Sequence, residues 1–314
     1  MTGLLSWLGR RFRPLAVAGA GLGLALALWT ERAGVAAFPW RLSWPLFLLA
    51  IVTFTAGPAC GAASFWLLVR DLTRTSRFAP CVKIWMRGFL ARYVPLGVLT
   101  VAVRVRARAH IEATASQILS ATVYEQIAAT LGGAFVGSAA LACSDARLSL
   151  FPAGIVVALA SLVAFAPTLA RTLGGARWRR RLSLQRLSRR ALAAAALATA
   201  VGWLFTGVAV WIVVNAISPS TPTLLFMTGA YALAWLTGFV VPLAPSGLGV
   251  REATLTGILT PSFGVGPAAV IAVAVRFANI LGDLLAATAV EGVALLAIRR
   301  APTPAATAGS SGSH

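Results

Sequence analysis

The sequence has 314 residues, of which 59% are hydrophobic and only 11% are charged, and its mean hydropathy is +0.84. Because about 20 apolar residues span a bilayer as one helix, this composition predicts an integral membrane protein and excludes a sizeable soluble domain. The formal net charge of +19 comes mostly from arginines in short loops beside apolar segments. Such loops indicate topology signals and contact with anionic lipid headgroups, so we expect no nucleic-acid partner.

The first predicted helix runs from Pro14 to Thr30, and the three arginines before it place the N-terminus in the cytoplasm. Leu42 to Val69 is a second uncharged span of 28 residues, long enough to predict a tilt or a kink near Gly57-Pro58. Tyr93 to Val103 is apolar, too short to cross, and has arginines on both sides. It predicts a re-entrant segment, with an amphipathic surface helix as the alternative.

Four further spans are predicted from apolar stretches of membrane-crossing length: Ala113 to Ser144, Leu148 to Ala170, Ala191 to Val214 and Leu224 to Val241. Between the second and third of these lies Arg171 to Arg190, which contains eight arginines and no acid. This composition predicts a cytoplasmic loop with a short basic amphipathic helix on the lipid headgroups.

A second interruption follows at Pro242 to Gly249, where two prolines and two glycines prevent a helix from continuing. At membrane depth, irregular backbone survives only where protein buries it or water reaches it. After this interruption, the sequence predicts a short helix from Val250 to Thr260 and a long helix from Ala268 to Ile298. Together these segments predict an all-α polytopic membrane protein with six to eight transmembrane helices and two re-entrant or broken segments. Residues 1–300 form one domain, and 301–314 are expected to be a disordered tail.

The two interruptions resemble each other, since Val94-Pro95-Leu96 is echoed by Val241-Pro242-Leu243 and each is followed by Gly-Val. Each also leads into a helix that carries an isolated carboxylate, Glu125 or Asp283. Transporters are often built from duplicated halves with broken helices at matching positions, so this echo suggests an internal repeat.

Charged residues inside the apolar segments are the strongest candidates for function. A charge at the bilayer centre costs about 2.5–3.5 kcal/mol on insertion scales, so Glu125, Arg276 and Asp283 need partners or water. Arg276, Asn279 and Asp283 fall on one helical face, which Glu291 extends. The stripe predicts a polar track through the bundle. The alternative is a set of interhelical ion pairs, such as Glu125 with Arg276, that only fasten helices.

Adjacent Arg251 and Glu252 allow the same two interpretations, a binding role or an interfacial pair capping the helix after Gly249. Catalysis is not expected, because Ser246 matches the Gly-x-Ser-x-Gly elbow poorly, with Ala at position 244. The three cysteines and two histidines lack metal-ligand spacing, so we expect neither a metal nor a cofactor.

Several of these residues together resemble the transmembrane, flippase-like region of the MprF-type lysylphosphatidylglycerol synthases. They are Arg92-Tyr-Val-Pro-Leu-Gly97, Glu125, the run Pro245 to Glu252, and Arg276. The resemblance covers residues 10 to 300 and implies a membrane region that moves lipid between leaflets. Two departures are Leu96 and Ser246, which stand where the family usually has glycine. The sequence also contains no aminoacyl-transferase domain, so we expect no lysyl-lipid synthesis, and the identity of the lipid stays open.

The resulting hypothesis is a bacterial inner-membrane protein that binds and translocates a phospholipid or polyprenyl-phosphate lipid with an anionic or zwitterionic headgroup. The alternative is a non-transporting scaffold that docks a lipid-modifying enzyme or glycosyltransferase through Arg171 to Arg190, and a third possibility is an ion or small-solute transporter. The predicted substrate-binding residues are Arg92, Tyr93, Pro95, Gly97, Arg104, Glu125, Ser246, Gly247, Gly249, Arg251, Glu252, Arg276, Asn279 and Asp283.

Overall fold

The computed structural model describes residues 22, 26, 29–74, 77–93, 99–143, 185–219, 222–240 and 247–300. Within these residues every regular element is a helix, as the sequence predicts. Most of the first predicted helix, the fourth predicted span, most of the basic loop and the C-terminal tail lie outside the described residues. So do three predicted site residues, Pro95, Gly97 and Ser246.

The described part of the chain contains ten α-helices, and short 3-10 turns follow the fourth helix (Ala91–Tyr93) and the fifth (Ala107–Ile111). The helices are α1 (Arg32–Ala37), α2 (Trp44–Phe54), α3 (Ala56–Thr73), α4 (Phe78–Leu90), α5 (Leu99–Arg106), α6 (Ala115–Ala142), α7 (Arg189–Ile217), α8 (Leu224–Val240), α9 (Val250–Phe263) and α10 (Val265–Arg300).

Three helical stretches are long and apolar enough to cross a membrane: Trp44–Thr73, Arg189–Ile217 and Val265–Val293. Leu224–Phe239 is also apolar but shorter. The predicted third span corresponds to α6, the fifth to α7 and the sixth to α8, with bounds that differ by only a few residues. The hydropathy pattern therefore predicts these helices correctly.

The second predicted span is broken where the sequence indicates a kink. Helix α2 ends at Phe54 and α3 begins at Ala56, so Trp44–Thr73 crosses as two helices in series. Pro58 has no backbone N–H and therefore cannot bond to the carbonyl of Phe54 four residues earlier. The break lies at Thr55, one turn before the proline, because the lost bond belongs to the preceding turn.

Helix α7 is the centre of the bundle and packs against α2, α3, α6, α8 and α10. Small residues let its neighbours approach closely, as is common where helices meet in membranes. A Cβ on Gly202 would lie 3.0 Å from the Cβ of Cys60, and a Cβ on Gly133 would lie 2.5 Å from the ring of Trp203. The indole Nε1 of Trp203 also donates to the carbonyl of Ala129 at 2.8 Å. Close packing thus holds α3 against α7, and packing together with this hydrogen bond holds α6 against α7.

The helices that flank each interruption pack against each other: α4 against α5, and α8 against α9. Helix α9 contains Pro261 and ends before Gly264, whose φ of 81° is a conformation that glycine adopts readily. This glycine separates α9 from the long helix α10.

The contact between α6 and α8 gives a test of this packing. A Cβ on Gly229 would lie 2.4 Å from Cγ of buried Leu141 and 3.1 Å from the carbonyl oxygen of Gly137. We expect Gly229→Ala to destabilise the protein by about 1–3 kcal/mol, because overpacking forces neighbours to move. Gly257→Ala is the matched control, since a Cβ there meets nothing within 4 Å. Thermal unfolding in detergent measures both, and equal stability of the two variants would contradict the packing described.

Candidate functional site

A cavity of about 200 Å³ lies within the bundle. Drug-sized ligand pockets are about 300–1,000 Å³, so this space is smaller than a typical pocket of that kind. Its charged lining residues are Arg92, Arg104, Glu125, Arg251 and Asp283, and its neutral polar lining residues are Thr100, Gln126, Thr199, Thr206, Tyr231 and Asn279. Aromatic rings form much of the remaining wall: Phe54, Trp85, Phe89, Trp203 and Trp235.

Arg104 and Glu125 form a buried ion pair between α5 and α6. Arg104 Nη1 donates to Glu125 Oε2 at 2.7 Å, and the same nitrogen lies 3.4 Å from Thr122 Oγ1. The guanidinium also lies over the ring of Phe65, with its carbon 4.8 Å from the ring centroid. The two opposite charges neutralise each other, as burial in an apolar bundle requires.

Arg92, Tyr93 and Asp283 form a second buried cluster, which joins the turn after α4 to the middle of α10. Arg92 Nη2 and the Tyr93 hydroxyl both donate to Asp283 Oδ2. Arg92 also lies over the ring of Phe89, 3.7 Å from its centroid. Asp283 is only 1% exposed, so its charge depends on these two donors. The cluster connects residues that are 191 positions apart in sequence.

Glu252 links α9 to α10 instead of pairing with its neighbour Arg251. Glu252 Oε2 accepts from the Gly249 backbone N–H at 2.6 Å, which caps α9, and Oε1 lies 3.4 Å from Arg276 Nε. The alternative pairing of Glu125 with Arg276 does not form, since each residue has another partner. Of the alternative for Arg251 and Glu252, the cap after Gly249 forms through Glu252 alone. Arg251 and Glu252 do not pair, because successive helical side chains point about 100° apart.

Arg251 differs from the other arginines that line the cavity. It is buried at 9% exposure, and its guanidinium carbon lies 5.3 Å from the ring centroid of Trp235. No carboxylate in the described part of the chain lies within 4.0 Å of its nitrogens. The sequence has eight acidic residues, and only Asp145 lies outside the described ranges. Among the described residues, three arginines and two carboxylates thus line the cavity, and the excess positive charge of this set belongs to Arg251.

Two glycines make the narrow space through which Arg251 reaches the cavity. A Cβ on Gly238 would lie 2.4 Å from Arg251 Cγ, and a Cβ on Gly247 would lie 2.9 Å from Gly238 Cα. Gly247 also has a φ of 68°, where a side chain would strain the backbone. Gly249, with a φ of 85°, begins α9 just before the arginine. These glycines therefore position Arg251.

The polar stripe predicted on α10 is divided in the structure. Asn279 and Asp283 line the cavity, and Asn279 Oδ1 accepts from the hydroxyl of Tyr231 at 3.3 Å. Arg276 instead borders a much smaller space of about 10 Å³ between α8, α9 and α10. Glu291 lies outside the cavity, where it pairs with Arg87 at 2.8 Å and with Lys83 at 3.5 Å. Glu291 thus continues the polar stripe towards α4, but among the predicted stripe residues only Asn279 and Asp283 line the cavity.

Apart from Asn279, the sequence did not identify the neutral polar residues or the aromatic residues that line the cavity. Tyr231 is one of only three tyrosines and lies in the long uncharged stretch, which was an available signal. Trp235 was a weaker signal, since ten tryptophans are spread along the chain. Among the described residues, no group of three His, Cys, Asp or Glu side chains has the geometry of a metal site.

No curated protein matches this chain. The family model described as the lysylphosphatidylglycerol synthase TM region matches residues 15–287, which include every charged residue of the cavity. The match covers most of the 314 residues and agrees with a helical bundle that contains three long apolar helices. The chain is therefore a multi-pass membrane protein that belongs to the family of lysylphosphatidylglycerol synthase transmembrane regions.

Proposed function

We propose that the protein binds a membrane lipid through the phosphate of an anionic or zwitterionic headgroup and moves that lipid between leaflets. The observation that carries the proposal is the excess positive charge of the cavity at Arg251. A lipid phosphodiester carries one negative charge and presents oxygens that a guanidinium binds as a fork. Such a phosphate supplies the charge that the described carboxylates leave unmatched.

The surroundings of the cavity favour a lipid over a soluble anion. Helix α2 presents exposed Leu46, Leu48, Leu49 and Val52, a surface suited to lipid tails. The cavity itself has room only for a headgroup, so the acyl chains stay in the bilayer while the phosphate enters. The family description names a phosphatidylglycerol derivative, which is consistent with this class of substrate. The substrate proposed here is the broader class of phospholipids and polyprenyl-phosphate lipids.

In this mechanism, the headgroup enters from the cytoplasmic leaflet between the two interrupted segments. Arg251 holds the phosphate, while Glu125 and Asp283 keep Arg104 and Arg92 neutralised. A cationic substituent on the headgroup would meet the carboxylates and the aromatic wall. Transport runs downhill or on an ion gradient and involves no catalysis and no cofactor. We place the protein in the bacterial inner membrane with a cytoplasmic N-terminus, because of the arginines before the first helix.

The second candidate is a membrane scaffold that docks a separate lipid-modifying enzyme or glycosyltransferase. Three ion pairs favour it, because Glu125, Asp283 and Glu252 each join two segments of the bundle, as fasteners would. Arg251 distinguishes the two candidate functions, because it pairs with no carboxylate in the described part of the chain and therefore does not act as such a fastener. A scaffold gives no reason to keep an unmatched arginine beside a cavity.

Stability measurements distinguish a fastener from a ligand-binding arginine. We expect Arg104→Gln to cost about 3–5 kcal/mol, because it leaves the Glu125 carboxylate buried without its partner. Arg251→Gln strands no carboxylate and should cost far less. The comparison uses thermal or denaturant unfolding of protein that has been delipidated in detergent. Equal losses in the two variants would show that Arg251 also fastens the fold.

Native mass spectrometry of gently delipidated protein identifies the ligand. We expect wild-type protein to retain one class of phospholipid or polyprenyl phosphate, and Arg251→Gln to lose it while staying folded. Arg87→Gln is the control, since Arg87 pairs with Glu291 outside the cavity. If all three proteins carry lipid in bulk membrane proportions, the scaffold is the better description.

Reconstituted vesicles test translocation directly. With a fluorescent short-chain phospholipid, we expect Arg251→Gln to lower the transport rate by at least about tenfold, since a charge-assisted hydrogen bond contributes about 1.5–3 kcal/mol. Arg251→Lys should be intermediate, because an ammonium keeps the charge but lacks the planar fork. Arg87→Gln should transport at the wild-type rate. Equal rates in all four proteins would exclude a role of Arg251 in transport.

A further inference from the structure

The two interrupted regions share more than the Val-Pro-Leu motif. Trp85-Met-Arg-Gly88-Phe89 precedes the first interruption, and Trp235-Leu-Thr-Gly238-Phe239 precedes the second. Both stretches therefore read Trp-x-x-Gly-Phe, followed within a few residues by Val-Pro-Leu. In the structure the two aromatic residues stack in each copy. The ring centroids of Trp85 and Phe89 are 4.6 Å apart, and those of Trp235 and Phe239 are 5.3 Å apart.

Each copy also receives one arginine from the helix after its interruption. The guanidinium carbon of Arg104 lies 5.5 Å from the ring centroid of Trp85, and that of Arg251 lies 5.3 Å from that of Trp235. In both copies the glycine makes room for the arginine. A Cβ on Gly88 would lie 2.7 Å from Arg104 Cγ, and a Cβ on Gly238 would lie 2.4 Å from Arg251 Cγ. We call each combination of Trp, Gly and Arg an arginine seat, the first at Arg104 and the second at Arg251.

Helix packing follows the same duplication. If α3, α4, α5 and α6 correspond to α7, α8, α9 and α10, then α3 packing on α7 is a contact between equivalent helices. The contact of α6 with α8 likewise matches the contact of α10 with α4. The arginines of both seats line the same cavity. Repeats related in this way are common in membrane transporters.

The seats differ in what neutralises their arginine. In the first seat, the Glu125 carboxylate from α6 binds Arg104 at 2.7 Å. In the second seat, no carboxylate from the described part of α10 reaches Arg251, since Asp283 binds Arg92 of the first copy. Arg276 of α10 binds Glu252 instead. The same structural unit thus has a carboxylate bound to its arginine in the first copy, whereas none of the described acids binds the arginine of the second copy.

We propose that the two seats are equivalent phosphate-binding sites and that the Glu125 carboxylate occupies the first as a built-in counter-anion. A guanidinium binds carboxylate and phosphate oxygens in the same forked geometry, so one can replace the other. The protein then holds one headgroup phosphate at a time, at Arg251. When Glu125 leaves Arg104, the first seat becomes free, and the same phosphate can bind there during transport. This inference rests on the proposed lipid-binding function.

Counting bound anions tests the proposal. The full chain in detergent is titrated calorimetrically with dihexanoyl phosphatidylglycerol. We expect one bound lipid for wild type, two for Glu125→Gln, and none for Arg251→Gln. The double variant Glu125→Gln/Arg251→Gln should bind one lipid, now in the first seat. The double variant Arg104→Gln/Glu125→Gln should also bind one, since it removes both charges of the first seat and leaves the second intact.

The outcomes separate this inference from the proposed function. Loss of binding in Arg251→Gln together with one bound lipid in Glu125→Gln would overturn the equivalence of the seats only. Unchanged binding in Arg251→Gln would overturn the proposed function itself. A parallel titration with inorganic phosphate distinguishes the source of the anion. Phosphate that binds as tightly as the short-chain lipid would overturn the lipid assignment.

Glu125→Gln leaves Arg104 without its carboxylate, so its stability needs a separate measurement. A ligand that binds only the folded state raises the melting temperature, and two sites raise it more than one. We therefore expect saturating dihexanoyl phosphatidylglycerol to raise the melting temperature of Glu125→Gln more than that of wild type or of Arg104→Gln/Glu125→Gln. Equal shifts in the three proteins would contradict a second seat.

Discussion

The high cost of an unmatched charge inside an apolar bundle constrains the whole structure. Three carboxylates within the described helices each bind an arginine from another segment, and the three pairs join the bundle at different points. Glu125 joins α6 to α5, Asp283 joins α10 to the turn after α4, and Glu252 joins α9 to α10. These pairs hold both interrupted regions against the long helices, so the cavity between them has a defined shape.

Against this background, Arg251 is the residue that calls for a functional explanation. Gly238 and Gly247 leave space for the Arg251 side chain, and the guanidinium lies over the face of the Trp235 ring. A cation over an aromatic face gains about 0.5–2 kcal/mol, which offsets only part of the cost of burying the charge. In the proposed function, the phosphate of a bound lipid supplies the remainder. Arg251 therefore carries that proposal, because it is the exception to the pairing among the described charges.

The two interpretations of the buried charges, a polar track or a set of fasteners, apply to different residues. Arg276 and Glu252 bind each other beside a space of about 10 Å³, an arrangement that the fastener interpretation expects. Asp283 both fastens α10 and lines the cavity. Arg251 forms no ion pair with any of the described carboxylates. A single helical stripe can serve both purposes, because its residues face different neighbours along its length.

The sequence alone determines the all-helical membrane fold, the interruptions and the set of charged candidates, since apolar length, proline and glycine act locally. It does not determine which charges meet. Glu125 could pair with Arg276 by sequence but binds Arg104, and adjacent Arg251 and Glu252 diverge around α9. Ion pairs between residues 21 to 191 positions apart depend on how helices cross and rotate. That geometry comes from close packing of many small residues at once, which only the tertiary structure resolves.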